Sequence, residues 1–173
     1  MSARAAWRLE TLGFGRVYRY TAGKADWAAS ALRMEGRVAG QAKAGDVVRR
    51  DTPTCELDER VGDVRDRTRE AGWDICVVVN GDGVVLGRLR KEAFAAPPES
   101  TVEDVMESGP TTIRPDVSLD SILERLRQRN VENILVTTPD GQLIGVLYRE
   151  DAEHHVGDAG AGAEEEEACE CDV

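Results

Sequence analysis

The chain has 173 residues, 41% of them apolar and 32% charged, and a net charge of −11. That size admits one large domain or two small ones and a core that needs no metal or disulfide, and the composition is that of a soluble globular protein. Residues 51–155 carry twelve Lys/Arg against twenty-two Asp/Glu, the wrong sign for a phosphate backbone, so nucleic acid is excluded as the main partner.

No apolar run reaches the ~20 residues of a membrane span, and Met1–Trp7 lacks the apolar stretch of a signal peptide. No membrane association and a cytoplasmic location are therefore expected. The first fifty residues are basic, ten Lys/Arg against four Asp/Glu, but the charges are scattered and interleaved with acids, as on a solvated surface.

In chain order, Arg4–Leu12 reads as a helix with Ala5, Ala6, Leu9 and Leu12 inward, stopped by Gly13. Arg16–Tyr20 follows as a strand, Ala22-Gly-Lys24 as a turn, and then a helix carrying Trp27. Together Ala5-Ala-Trp-Arg-Leu9, Leu12-Gly-Phe14, Val17-Tyr-Arg-Tyr20, Gly23-Lys-Ala-Asp-Trp27 and Glu35-Gly36 resemble the closing third of a rhodanese domain. The resemblance implies an α-β-α remnant over residues 1–40. Rhodaneses transfer sulfur through a Cys-bearing loop directly before the helix placed here at Arg4. Cys55 and Cys76 stand in other, strand-like segments, so sulfur transfer by this chain is not expected.

Beyond residue 44 an internal repeat takes over. Sliding the sequence by 58 residues aligns Asp46–Ala93 with Asp104–Asp151 without a gap, and twelve of forty-eight positions match, where chance gives roughly three. Both copies read helix, strand, helix, strand, strand, helix. In the second, Ser100-Thr-Val-Glu103 is a capping box opening a short helix through Met106, and Thr111–Ile113 is extended before Pro115. Ser118 caps a helix with Leu119, Ile122, Leu123 and Leu126 on one face, ended by Asn130 where the first copy has Gly72. Ile134–Val136 and Gln142–Leu147 form a hairpin, as do Cys76–Val79 and Val84–Leu89. Short helices near Lys91–Phe94 and Glu150–His155 close the copies. Neither copy covers its small sheet alone, so the two should pack together across the stiff linker Ala95–Glu99.

Asp104-Val-Met106, Ile113-Arg-Pro115-Asp116 and Leu143-Ile-Gly145-Val-Leu-Tyr-Arg-Glu-Asp151 make the paired unit resemble two tandem cystathionine-β-synthase (CBS) motifs, over residues 44–155. The implied fold class is α/β (α+β): two β-α-β-β-α motifs, 44–94 and 100–155, as a pseudo-two-fold pair. The resemblance also implies an adenosine-containing ligand, of the AMP/ADP/ATP or S-adenosylmethionine class, in the cleft of the second motif. Asp151 would accept from ribose hydroxyls, Tyr148 and Arg149 would meet phosphate, and adenine would rest near Thr112, Ile113 and Ile134. At the signature positions of the first motif stand Arg90 and Ala93, so that site is not expected to bind in the usual mode. Homodimers through the helices Val61–Ala71 and Leu119–Leu126 are implied as well.

Residues 156–173 carry seven acids and no cation and read as a disordered acidic tail. His154-His155 with Cys169-Glu-Cys171 make a poor metal set, because a tail of like charges offers no closed geometry. No metal or catalytic residue is therefore assigned. The expected function is a non-enzymatic regulatory module binding an adenosine-type small molecule and no resident cofactor. A ligand-free dimerisation scaffold and a fragment of a rhodanese–CBS sulfurtransferase lacking its Cys loop stand as alternatives.

Overall fold

The computed structural model describes residues 2–18, 20–30, 32–33, 35 and 41–157; of the expected acidic tail 156–173, residues 156 and 157 are helical and the rest lies outside the described residues. Near the N-terminus, α1 (Ser2–Thr11) ends at Gly13, whose φ of 93° only glycine adopts freely, and α2 (Gly23–Ala29) follows. The strand expected over Arg16–Tyr20 is not formed at its described residues 16–18 and 20. A strand needs a hydrogen-bonded neighbour, and Tyr18 here is 88% exposed.

The repeat folds as α3 (Ala44–Val47), β1 (Thr54–Cys55), α4 (Val61–Glu70), β2 (Cys76–Val79) and β3 (Val85–Leu89), then α5 (Val102–Val105), β4 (Glu107–Ser108), β5 (Thr112–Ile113), α6 (Leu119–Gln128), β6 (Asn133–Thr137), β7 (Leu143–Tyr148) and α7 (149–157). The apolar period of α4 and α6 buries Val61, Val64 and Thr68 in one and Leu119, Ile122, Leu123 and Leu126 in the other. Both helices end alike: Gly72 and Asn130 take positive φ (76° and 49°), and Trp73 and Val131 donate back to Thr68 and Leu126. Three details depart from expectation. Thr101, not Ser100, precedes α5 and donates to Asp104 Oδ2 at 2.6 Å. The helix expected at Lys91–Phe94 is a single 3₁₀ turn, Ala93–Ala95. Strand β4 was not expected at all.

That extra strand shows how the copies join. One sheet has the order β1-β2-β3-β4 and the other β5-β6-β7, so the second copy lends its lead-in to the first copy's sheet, with Arg88 opposite Glu107. In return Arg49 pairs with Val146, N–H to O=C both ways at 2.9 and 3.0 Å. These partners are 58 residues apart on both sides, a reciprocal exchange about a pseudo-two-fold axis. The same offset relates the bridges Lys43–Ser118 and Arg60–Thr101, and Val84 meets its own counterpart Gln142 on the axis. Three apolar clusters result, one inside each copy and one between the sheets around Val77, Leu135 and Val146.

Candidate functional site

The exchange creates two clefts, each between the end of one copy's last strand and the other copy's lead-in. At the first, Arg49 is fixed by its backbone pairing to Val146 and lays its guanidinium across the end of β7. Nε donates to Asp151 Oδ2 at 2.6 Å, while Nη2 donates to Asp151 Oδ1 at 2.7 Å and Glu150 Oε1 at 2.9 Å. The guanidinium carbon also lies 4.5 Å from the Tyr148 ring centroid, within cation–π range. The Tyr148 hydroxyl donates to Asp74 Oδ1 at 2.8 Å, and its ring packs 6.0 Å from Trp73. The hydrogen bond to Asp151 pushes the Arg49 pKa up, and burial, then the Asp74 carboxylate, raise that of the Tyr148 phenol.

The second cleft repeats this geometry with the charges reversed. Glu107 occupies the place of Arg49, and Arg88 and Arg90 stand where the first cleft has Val146 and Tyr148. Arg88 is clamped to Glu107 through Nε and Nη2, both 2.9 Å, and Arg90 Nε lies 3.2 Å from the same carboxylate. Arg88 first, then Arg90, hold the Glu107 carboxyl below the usual carboxylate range against partial burial. Here the space is not filled. A cavity of about 90 Å³ is lined by Arg88, Arg90, Arg125 and Arg129, with Thr111 at its edge and Leu126, Val131 and Ile134 as an apolar wall. The Asn133 side-chain oxygen on that wall is buried and has no hydrogen-bond partner among the described residues. The cavity adjoins one of about 290 Å³ that shares Arg90, Val131 and Asn133 and includes Asp74, Glu92 and Glu132.

The residues expected to form one site are divided. Asp151 and Tyr148 sit together, but both are engaged by Arg49. Arg149 is positioned by its backbone N–H on Glu132 O at 2.8 Å, and its side chain enters none of the ion pairs among the described residues. Thr112 and Ile113 lie in β5, on the far side of β6 from β7. Ile113 is 6% exposed, with its side chain within the second copy's core. Ile134 alone of the set borders the arginine-lined cavity. The expected residues are therefore not gathered at one cleft, because each cleft draws on both copies. Sequence reading missed Arg49, Glu107, Arg88, Arg125, Arg129 and Asn133. The repeat alignment does place Arg49 opposite Glu107 and Arg90 opposite Tyr148, a charge reversal that gains meaning only once the lead-ins are known to cross over.

Residues 102–157, about a third of the chain, match the family model of the CBS domain. No curated protein matches the sequence. The fold is that of CBS domain pairs. It is similar to the CBS pair of protein MJ0100 in complex with 5′-methylthioadenosine and S-adenosyl-L-methionine (16% identity, TM-score 0.60, 69% of this chain and 98% of that one). A second likeness is a putative acetoin utilization protein, AcuB, from Vibrio cholerae (17%, 0.63, 72% and 97%). A third is the cytosolic domain of the Mg2+ channel MgtE in complex with ATP (18%, 0.61), of which the chain covers 51% with 68% of its own length. Among the described residues no helix is long and apolar enough to cross a membrane.

Proposed function

We propose that this chain is a non-catalytic regulatory module whose ligand is a phosphate-bearing adenine nucleotide, held in the cleft where Arg88, Arg90, Arg125 and Arg129 meet. The single observation that carries this reading is four guanidinium side chains, with no carboxylate among the lining, around an apolar-walled cavity. Guanidinium forks match phosphate oxygens bidentately. Arg125 and Arg129 add to this from the C-terminal turn of α6, and Arg90, 45% exposed, is free to turn from Glu107 to a phosphate. Arg88, 8% exposed, stays on Glu107. The unpartnered oxygen of Asn133 offers an acceptor to an exocyclic amine, beside a wall suited to a flat base.

The complexes of similar folds with ATP and with S-adenosylmethionine support an adenosine ligand. Within that class the arginines favour phosphate over a sulfonium cation. The test is thermal unfolding with AMP, ADP, ATP and S-adenosylmethionine, since a ligand at a hundred times its Kd adds about 2.7 kcal/mol. Stabilisation by ADP and ATP, none by S-adenosylmethionine, and loss of the effect in Arg125→Ala/Arg129→Ala are expected. Equal stabilisation of that variant, or none of the wild type by any nucleotide, contradicts the reading.

A further inference from the structure

The two clefts are related by symmetry in backbone but not in occupancy, and the difference has a chemical cause. We infer that the Asp151 cleft is sealed from within by Arg49 and Tyr148, so that the chain takes a single nucleotide, at the arginine-lined cleft; this rests on the function proposed above. Both carboxylate oxygens of Asp151 accept from the one guanidinium, at 2.6 and 2.7 Å, and Glu150 takes a third bond at 2.9 Å. Toward a carboxylate a ribose hydroxyl brings one uncharged O–H donor, in exchange for a bidentate ion pair whose charge-assisted bonds are stronger than a neutral hydrogen bond. The Tyr148 ring fills the space that Arg90 leaves open in the other cleft. Three contacts pin it at once: Arg49 over its face at 4.5 Å, Trp73 at 6.0 Å and Asp74 on its hydroxyl at 2.8 Å.

The seal also sets what the cleft admits once opened. The groups that Arg49 and Tyr148 engage are the carboxylates of Asp74, Glu150 and Asp151, so the opened cleft suits an uncharged nucleoside with hydroxyl donors and repels phosphate. Adenosine is therefore the probe for this cleft and ADP the probe for the other. When the competent form is a minor fraction, apparent affinity falls by that fraction, so removing the seal should tighten adenosine binding by tenfold or more.

The experiment is calorimetric titration of the full chain with adenosine, comparing wild type, Arg49→Gln, Arg49→Gln/Tyr148→Thr, and the double variant carrying Asp151→Asn. Glutamine keeps the backbone pairing to Val146 and removes the charge. Circular dichroism verifies folding, and the single variant serves if the double does not fold. A wild type blind to adenosine, one adenosine site gained on opening, and its loss with Asp151→Asn are the expected results. Asp151→Asn is also made alone: adenosine binding by the wild type that this single substitution abolishes overturns the seal, as does a folded opened variant that gains no site. Wild-type binding that survives Asp151→Asn but is lost in Arg125→Ala/Arg129→Ala belongs to the other cleft and leaves the Asp151 cleft closed, as inferred. ADP is titrated in parallel: a wild type that ignores ADP counts against the arginine-cleft reading, while the adenosine comparison still decides on the seal.

Discussion

Arg88 illustrates how a single residue departs from its symmetry mate for a reason. Its counterpart is Val146, buried between the sheets, whereas Arg88 brings a charge to the equivalent depth and draws in Glu107 to compensate it. Removing one member of such a pair leaves the other buried without a counter-ion. Glu107→Ala should therefore destabilise the fold by about 1–3 kcal/mol, at the lower end because the carboxylate is half exposed. Arg88→Met, which removes the charge with similar bulk, should cost less, and urea unfolding of the two variants checks the order. The same pair sets a pH dependence. Glu107 and Glu59 are held below the ordinary range, by Arg88 and by Arg67 respectively. A depressed carboxylate stabilises above its unfolded pKa of ~4.3 and loses that contribution as pH falls through its lower folded value. Urea midpoints should hold from pH 7 to about 5 and then decline, and the decline should be shallower in Glu107→Gln.

At the scale of elements, the crossing of lead-ins explains one of the twelve repeated positions. Gly87 and Gly145 are where the other copy's chain passes against the last strand. A Cβ at Gly87 would stand 2.6 Å from Met106 Sδ, and one at Gly145 would collide with the carbonyl oxygen of Arg49. Gly145→Ala should cost about 1–3 kcal/mol by overpacking and loosen Arg49 from Val146, seen as faster amide exchange at those two residues. The helices and hairpins were legible in the sequence because α4 and α6 carry their own period and the turns their own residues. Strand β4 was not, since two residues hold no alternation and their partners lie about twenty positions away. Arg16–Tyr20 failed in the opposite way: its alternation suits a strand, but among the described residues no sheet edge receives it. The site was legible only in part. Asp151, Tyr148 and Ile134 are each at a cleft, but which cleft follows from the crossing, and neither spacing nor composition encodes that.

For the whole molecule, the exchange makes the two copies one folding unit rather than two in tandem. Leu135 is fully buried in the cluster between the sheets. Leu135→Ala should lower stability by about 2–5 kcal/mol while unfolding stays a single transition, with equal calorimetric and van't Hoff enthalpies. The middle block is acidic on average, with twelve cations against twenty-two acids. Four of those twelve cations nevertheless line one cavity, the local charge balance on which the proposed phosphate-bearing ligand depends. The measurement that tests this most directly is calorimetric titration of ADP into the wild-type chain and into Arg90→Ala at low and moderate salt. One site per chain is predicted, weakening with salt and weakened about tenfold or more, ~1.4 kcal/mol, by the substitution. Binding of equal strength in Arg90→Ala, or binding indifferent to salt, would contradict the account.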